Sequence, residues 1–315
     1  MHIFLTGGAG FIGSHLAERL LGRGDRVTIL DDLNDYYDPQ LKRRNLQGIV
    51  DQPSASFIEG DIRDMPLLEN VFARNRFEVI VHLAARAGVR PSLQQPFLYE
   101  DVNCRGTLNL LELARRHEIR RFVFASSSSV YGNSTAVPFR EDARIDQPIS
   151  PYAATKAAGE LYCYTFHHLY GMSVNALRFF TVYGARQRPD MAIHKFTRLI
   201  DEGKAIPFYG DGSTERDYTY YTDIIDGVTA AIDRDLGFQI FNLGESRTTK
   251  LSYLVELIAQ SLGKQAHRSM MPMQPGDVNV TCADVGKAKR LLDYNPSTAI
   301  EDGIRAFVDW YKRTR

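Results

Sequence analysis

The chain has 315 residues, of which 44% are hydrophobic and 24% are charged, and its formal net charge at pH 7 is zero. Balanced charge provides no general attraction to nucleic acid or to a membrane surface, so we expect neither as a partner and expect a small molecule instead. Cys104, Cys163 and Cys282 show no C-x-x-C spacing, which indicates neither a disulfide framework nor a metal site.

The chain contains no apolar run near the roughly 18 residues that a membrane span needs. Glycines interrupt the N-terminal segment where a signal peptide would need a continuous apolar core. We therefore expect a cytoplasmic protein.

The N-terminal segment predicts a strand, a tight turn and a helix. An apolar run over 2 to 6 leads directly into glycines, and a helical pattern of apolar residues follows. Gly7 would allow the turn, Gly10 would let the backbone approach a pyrophosphate, and Gly13 would let the helix pack closely on the strand. The helix N-terminus would then point its amides at the phosphates, so this segment predicts a dinucleotide site.

The second predicted strand, over 26 to 30, ends in two carboxylates. Asp31 follows Gly13 by eighteen residues, at the distance where an acid accepts hydrogen bonds from an adenosine ribose. The carboxylate would repel a 2′-phosphate, so the sequence favours NAD over NADP, although Arg43 and Arg44 act in the opposite sense. The alternative is that Asp31 and Asp32 only start the polar loop that follows.

Further strand-like runs at 55 to 59, 78 to 83, 121 to 126 and 173 to 178 alternate with helical stretches. Several runs are almost wholly apolar, which is typical of a parallel sheet covered on both faces. We predict an α/β protein with a doubly wound parallel sheet of the Rossmann type and a smaller C-terminal lobe. The predicted NAD-binding domain is 1 to 180 plus about 220 to 243, and the predicted substrate lobe is about 181 to 219 plus 244 to 315.

Two segments predict a catalytic centre at the carboxyl ends of these strands. The fifth strand runs into four serines, Ser126 to Ser129, and Tyr152 and Lys156 lie one helical turn apart about 25 residues later. Lowering the pKa of a tyrosine from about 10 to about 7 requires roughly 4 kcal/mol, which one ammonium group rarely supplies. A second positive charge is therefore expected, and an oxidised nicotinamide would provide it. His82 fits a hydrogen-bonded core residue better than a base.

Five segments in the correct order resemble the extended short-chain dehydrogenase/reductase family, in its nucleotide-sugar branch of epimerases, dehydratases and decarboxylases. They are T-G-G-A-G-F-I-G (6 to 13), H-L-A-A (82 to 85), S-S-S-S-V-Y-G (126 to 132), Y-A-A-T-K (152 to 156) and L-R-F-F-T-V-Y-G (177 to 184). The resemblance covers nearly the whole chain.

Other positions indicate the type of reaction within this family. Dehydratases of nucleotide sugars carry Asp-Glu after the active-site serine or threonine, whereas this chain has Ser128 and Ser129. The segments over 33 to 43, 87 to 93 and 273 to 278 look most like UDP-glucuronate 4-epimerases, and Thr181 stands where UDP-glucose 4-epimerases usually have Asn. Arg86 replaces the Gln that is common after Leu-Ala-Ala in that group.

The resemblance implies roles for individual residues. The catalytic residues would be Tyr152, Lys156 and Ser127. The residues that bind NAD would be Gly7, Gly10, Phe11, Ile12, Gly13, Asp31, Asp32, Asn34, Asp61, Ile62, Leu83, Ala84, Ala85, Tyr152 and Lys156. The residues that bind the UDP-sugar would be Arg86, Arg90, Ser127, Ser128, Thr181, Arg186, Arg216 and Asp277, with Asn103 also at a matching position.

The resulting hypothesis is NAD-dependent 4-epimerisation of a UDP-sugar, most closely UDP-glucuronate to UDP-galacturonate, through a transient 4-keto sugar. A UDP-glucuronate decarboxylase, a UDP-glucose or UDP-N-acetylglucosamine 4-epimerase, a non-catalytic NAD-sensing protein and a scaffold protein remain alternatives. The helices over about 97 to 117 and 151 to 170 commonly form a four-helix dimer interface in this family, so we expect a homodimer in which Leu108, Leu111, Leu161 and Phe166 take part.

Overall fold

A computed structural model describes residues 1 to 272 and 278 to 315 of the chain. Within these ranges the strands are β1 His2–Thr6, β2 Arg26–Asp31, β3 Ala55–Glu59, β4 Val79–His82, β5 Arg121–Ser127, β6 Ser173–Phe179, β7 Thr181–Tyr183, β8 Ile206–Tyr209, β9 Glu215–Arg216, β10 Tyr218–Tyr220, β11 Phe238–Leu243, β12 Thr249–Lys250 and β13 Arg268–Met271.

The helices lie between and after these strands. They are α1 Phe11–Gly22, α2 Pro39–Leu46, α3 Met65–Arg74, α4 Val89–Gln94, α5 Pro96–Glu100, α6 Gly106–Arg116, α7 Pro151–Tyr170, α8 Ala192–Asp201, α9 Tyr221–Asp233, α10 Leu251–Leu262, α11 Gly286–Leu292 and α12 Ile300–Thr314. A single π-helical turn, Asp101–Arg105, joins α5 to α6, and a short 3₁₀ turn, Ser128–Tyr131, follows β5.

Seven of the strands form one parallel sheet in the order β11-β6-β5-β4-β1-β2-β3. The apolar runs predicted from the sequence are six of these seven strands, and the observed bounds differ from the predicted ones by one residue at most. The prediction of a doubly wound parallel sheet is confirmed.

Residues that alternate along each strand bury their side chains in two different layers. Leu5, Val81 and Val123 belong to the apolar cluster on one face of the sheet. Phe4 and Phe122 belong to the cluster on the other face. Both faces are therefore covered by helices, which explains why these strands read as continuous apolar runs rather than as alternating ones.

The order of the sheet creates a crevice at its carboxyl edge. The chain moves outward from β1 through β2 to β3, and then returns to the other side of β1 with β4. At such a reversal the connecting segments leave in opposite directions, and ligands bind between them. The loops after β1, β2, β4, β5 and β6 consequently surround one space.

A third apolar cluster forms a smaller body beside the sheet. It includes Ile193 and Phe196 of α8, Phe208 of β8, Leu254 of α10 and Phe307 of α12. The segment between 220 and 243 lies with the large sheet instead, since α9 packs on α1 and β11 is an edge strand.

One C-terminal segment also packs with the large sheet. Residues Ala283, Val285, Ala288, Leu292 and Tyr294 belong to the same cluster as Leu5 of β1. The smaller body is thus not a single continuous stretch after residue 243, and the division of the chain into two domains stays a prediction. Over residues 1 to 272 and 278 to 315, none of the helices combines the length and apolarity required for a membrane crossing.

Candidate active site

A cavity of about 390 Å³ lies at the carboxyl edge of the sheet. It brings together nineteen predicted residues from separate parts of the chain. They are Gly7, Gly10, Phe11, Ile12, Gly13, Asp31, Asp32, Asn34, Asp61, Ile62, Leu83, Ala84, Ala85, Arg86, Ser127, Ser128, Tyr152, Lys156 and Thr181.

The turn between β1 and α1 requires glycine at two of its positions. Gly7 has φ +75°, and a Cβ atom there would lie 2.7 Å from the backbone nitrogen of Ala84 at the end of β4. A Cβ atom on Gly13 would lie 2.1 Å from the carbonyl oxygen of Gly7. Because both neighbours are backbone atoms, no side-chain adjustment could make room. The first strand, the fourth strand and the helix therefore meet at van der Waals distance, as the glycine spacing predicted.

The N-terminus of α1 faces this cavity. Gly10 precedes the helix in an extended conformation, and the first helical hydrogen bond runs from Ser14 N–H to the Gly10 carbonyl oxygen at 3.0 Å. The amides of Phe11, Ile12 and Gly13 thus have no carbonyl partner within the helix, and they carry its positive dipole end. Backbone donors without obstructing side chains are the features that fit a dinucleotide pyrophosphate.

Asp31 is held rigidly at the end of β2. Its carboxylate accepts hydrogen bonds from the Ala9 N–H at 3.1 Å and the Leu33 N–H at 3.0 Å, and only 8% of the residue is exposed. Burial raises the pKa of this carboxyl group, while the charge of Lys42 acts to lower it. Each carboxylate oxygen keeps a further lone pair, so Asp31 can accept hydrogen bonds from ribose hydroxyls. The donor set at the glycine turn and this acceptor together fit NAD.

Helix α7 places the predicted base against the sheet. The Ser150 hydroxyl caps the helix by accepting the Ala153 N–H at 3.1 Å, and Pro151 occupies its first turn. Tyr152 therefore lies in the first turn, beside the end of β5. Ser127 of β5 lines the same cavity as Tyr152, and its hydroxyl acts to lower the pKa of the phenol, while its own hydrogen bonds are with Ser129. The structure thus brings the predicted serine and tyrosine into one cavity.

Lys156 lies one turn further along the same helix and is 4% exposed. Its ammonium group donates a hydrogen bond to the Ala125 carbonyl oxygen at 2.6 Å and lies 5.1 Å from the centre of the Phe124 ring. Burial lowers the pKa of Lys156 to about 8. This side chain is anchored to the strand, so its position depends on tertiary contact and not only on helical spacing.

The electrostatics of Tyr152 differ in one respect from the sequence-based expectation. Burial raises the pKa of the phenol, while the Ser127 hydroxyl and the charge of Arg188 act to lower it. The protein itself thus supplies a cation that acts on Tyr152, from a loop between β7 and α8. The sequence predicts the nicotinamide as the source of this additional charge.

His82 behaves as a core residue. Its ring nitrogens lie 2.8 Å from the Thr6 hydroxyl and 3.0 Å from the Thr107 hydroxyl, and the residue is 1% exposed. Burial lowers the pKa of His82 to about 3. An imidazole that is neutral at pH 7 and hydrogen-bonded at both ring nitrogens holds β1, β4 and α6 together beneath the cavity.

Three arginines predicted to contact the sugar nucleotide do not line the cavity. Arg186 forms an ion pair with Glu18 of α1 at 2.6 Å. The Arg90 guanidinium lies 5.2 Å from the centre of the Tyr209 ring. Arg216 donates to the carbonyl oxygens of Glu215 at 2.9 Å and Asn279 at 3.1 Å. Asp277 lies outside the described residues.

The Asn103 side chain is hydrogen-bonded to other residues of the protein. Its side-chain oxygen accepts the Arg86 N–H at 2.8 Å, and its amide nitrogen donates to the Arg86 carbonyl at 3.1 Å and to the Thr155 hydroxyl at 3.0 Å. Asn103 therefore joins the segment after β4 to helix α7, and it is 3% exposed. The expectation that its side chain contacts the sugar nucleotide is not supported by these contacts.

Several residues of the cavity wall were not predicted to bind either ligand. They are Tyr36, Tyr37, Lys42, Phe179, Arg188 and Met191. The first three lie in the segment over 33 to 43 that resembles UDP-glucuronate 4-epimerases, and the sequence predicts no individual role for them. Arg188 could not be assigned to the cavity from the sequence, because a lone arginine in a loop carries no periodic signal.

Comparison with known proteins agrees with this geometry. The family model described as GDP-mannose 4,6 dehydratase matches residues 4–307. UDP-glucuronate 4-epimerase of Thermodesulfobacterium geofontis is 43% identical over 312 residues, which cover 99% of this chain and 96% of that protein. UDP-glucuronate 4-epimerase 2 of Arabidopsis thaliana is 42% identical over 327 residues, covering 98% of this chain and 75% of that protein.

Solved structures give the same result. UDP-glucuronic acid 4-epimerase from Bacillus cereus, in complex with UDP-glucuronic acid and NAD, is 34% identical with a TM-score of 0.93, and each chain is covered completely. UDP-glucose 4-epimerase from Thermotoga maritima, with UDP-glucose, is 32% identical with a TM-score of 0.91, covering 100% of this chain and 99% of that one. The chain therefore belongs to the GDP-mannose 4,6 dehydratase family, in the nucleotide-sugar epimerase branch of the extended short-chain dehydrogenases/reductases.

Proposed function

We propose that the protein is an isomerase that converts UDP-glucuronate to UDP-galacturonate at C4 and retains NAD tightly. The observation that carries the proposal is the position of Tyr152, which lines one cavity together with Ser127, the glycine turn and Asp31. Similarity to UDP-glucuronate 4-epimerases over nearly the whole chain supports the choice of sugar.

NAD would supply the hydride acceptor and donor for C4, and the amides of α1 together with Asp31 would hold it. The Tyr152 phenolate removes the O4 proton and returns it after the 4-keto sugar has turned over. The Ser127 hydroxyl orients the same sugar oxygen. The charge of Arg188 favours the phenolate, and Lys156 has the ammonium donors to hold the nicotinamide ribose.

Elimination of water from the sugar would need a further acid and base. Ser128 lines the cavity and Ser129 follows it, and their hydroxyls are poor proton acceptors compared with the Asp-Glu pair of dehydratases. The site therefore favours epimerisation over the reaction for which the family model is described.

A uronate substrate adds a second requirement. Its 4-keto intermediate is a β-keto acid, which loses carbon dioxide when the carboxylate bond aligns with the carbonyl π system. The site must hold the carboxylate out of that alignment. Since Arg90 and Arg186 do not line the cavity, the polar side chains of Ser127, Ser128 and Thr181 are the candidates for this task.

The test is to incubate the purified, NAD-loaded protein with UDP-glucuronate and to analyse the products by mass spectrometry and chromatography. Unchanged mass with appearance of galacturonate is the expected result. Loss of carbon dioxide would replace epimerisation by decarboxylation. Conversion of UDP-glucose or UDP-N-acetylglucosamine without any reaction of UDP-glucuronate would retain 4-epimerisation and overturn the choice of sugar.

The protein also forms a homodimer through α7 and the helices before α6. Leu161, Tyr164 and Tyr170 of α7 and Phe97 of α5 are all at least half exposed, which leaves a broad apolar surface on adjacent helices. The prediction that Leu111 takes part in the interface is wrong, because Leu111 is fully buried in the core below the sheet.

Leu161→Asp should shift the mass measured by light scattering from dimer towards monomer, whereas Leu291→Asp, on the distant α11, should not. A wild-type monomer would contradict the proposal.

A further inference from the structure

Tyr36 contacts both members of an ion pair in the wall of the cavity. The Arg188 guanidinium lies 5.2 Å from the centre of the Tyr36 ring. Arg188 also donates two hydrogen bonds to the Asp190 carboxylate, at 3.0 Å and 3.1 Å. The Tyr36 hydroxyl donates a long hydrogen bond to the same carboxylate at 3.4 Å. One aromatic side chain thus supports the cation with its face and touches the anion with its hydroxyl group.

The backbone of Tyr36 belongs to the loop that follows Asp31. The side-chain oxygen of Asn34 accepts the Tyr36 N–H at 3.2 Å, and it also accepts a hydrogen bond from the Arg86 guanidinium at 3.3 Å. That guanidinium lies 6.0 Å from the centre of the Tyr36 ring. The Tyr36 ring is therefore in contact with cations from two other segments, one after β4 and one after β7.

Arg188 matters because its charge acts on the base. Ser127 and Arg188 line the same cavity as Tyr152, and the ring centre of Tyr99 on α5 lies 6.2 Å from that of Tyr152. On its own helix, Lys156 directs its ammonium group to the Ala125 carbonyl oxygen. The charge of Arg188 lowers the pKa of Tyr152 against the effect of burial.

An arginine in a loop needs support to keep its charge in one place. Asp190 is 45% exposed at its side chain, so the ion pair alone could be satisfied in a more solvent-facing position. The negative face of an aromatic ring attracts a guanidinium stacked on it, which favours the position beside the ring over such alternatives. If Arg188 turned outwards, water would screen its charge from the phenol.

We propose that Tyr36 is a positioning residue for the reaction proposed above: it fixes Arg188 beside Tyr152 and ties that arrangement to the loop that begins at Asp31. The proposal rests on the proposed function only for its kinetic readout. It makes the state of the base depend on the same loop that holds the dinucleotide ribose.

The test compares Tyr36→Leu with Tyr36→Phe in the NAD-loaded enzyme, by the pH dependence of kcat with UDP-glucuronate. Since the base must be deprotonated, kcat rises with pH through the pKa of Tyr152. Loss of the ring should raise the pKa that kcat reports by about one pH unit. At pH values below that pKa, kcat should fall about tenfold, and it should recover at higher pH. KM should change less than about threefold. Tyr36→Phe keeps the ring and should move the same pKa by less than about 0.3 unit, because a 3.4 Å hydrogen bond is weak.

Tyr253→Leu is the control for non-specific loss of a tyrosine. Tyr253 lies on α10, is largely exposed and hydrogen-bonds only Glu301 among the contacts described for its hydroxyl. An unshifted profile in Tyr36→Leu, or an equal shift in Tyr253→Leu, would overturn the proposal. If the wild type epimerises no UDP-sugar, an ultraviolet difference titration of each variant against its Tyr152→Phe counterpart measures the phenol directly, and the same shift is expected.

Discussion

The two ends of the cavity are built in different ways. At the dinucleotide end, a single stretch of chain from β1 to β2 provides both the glycine turn and Asp31, and backbone atoms in close contact fix their positions. At the sugar end, Tyr152 comes from α7, whereas Thr181 and Arg188 come from β7 and the loop after it, and side-chain contacts hold these residues in place. A site made by backbone geometry tolerates no added atom, whereas a site made by side chains changes gradually as its supports are removed.

Removing the phenol should have the largest effect. Tyr152→Phe should lower kcat by about a thousandfold, because general base catalysis contributes about 10² to 10⁴ in rate. The NAD content of the purified protein should stay at the wild-type level, since the glycine turn is untouched. Kinetics and cofactor absorbance check the two parts, with Tyr253→Phe as a matched control. Unaltered turnover would remove the catalytic assignment.

A methyl group added beneath the glycine turn should weaken NAD binding, because the dinucleotide end has no room for an added atom. Gly13→Ala places a Cβ atom 2.1 Å from a backbone oxygen, so the turn must open and NAD binding should weaken by about a hundredfold, near 3 kcal/mol. Gly22→Ala on the same helix has no atom within 4 Å of the new Cβ atom and should be neutral or slightly stabilising. Titration of NAD into stripped protein and thermal melting check both. Equal affinities in the two variants would contradict the packing argument.

His82 should make the same end sensitive to acid. Its folded pKa of about 3 lies below the unfolded value of 6.5, so the neutral ring contributes stability that is complete above pH 6.5 and is lost as the pH falls towards 3. By linkage this loss is about 2 kcal/mol at pH 5. Denaturant unfolding of His82→Gln should show a smaller loss of stability than the wild type between pH 7 and pH 5. If both proteins lost the same free energy of unfolding between pH 7 and pH 5, His82 would not be the cause of the acid sensitivity.

Arg216 offers the smallest effect and tests the sugar end. If its guanidinium binds the UDP diphosphate, Arg216→Met should raise KM for the UDP-sugar about tenfold, or about 1.4 kcal/mol, with kcat little changed. Arg305→Met serves as the control, because Arg305 is an exposed residue of α12 that pairs with Asp302. Wild-type KM in Arg216→Met would assign Arg216 a purely local role with the carbonyl oxygens that it already contacts.

Much of the site could be predicted because short-range rules determine it. The spacing of Gly7, Gly10 and Gly13 follows from the geometry of one turn, and apolar runs without alternation follow from burial on both faces of a parallel sheet. Topology then places strand ends at one edge, which is why Ser127 and Tyr152 could be expected together although they are 25 residues apart. Such inferences need the backbone and not the detail of side-chain packing.

The role of each cation could not be predicted in the same way. The sequence alone predicted a doubly wound fold, a dinucleotide turn, and Tyr152 with Lys156 as the candidate base and its partner. Only the tertiary structure decided that Arg188 lines the same cavity as Tyr152, that Arg186 pairs with Glu18, and that Asn103 joins two backbone segments. The physical reason is that a long polar side chain has many rotamers of similar energy, and the neighbours brought by distant segments select one of them.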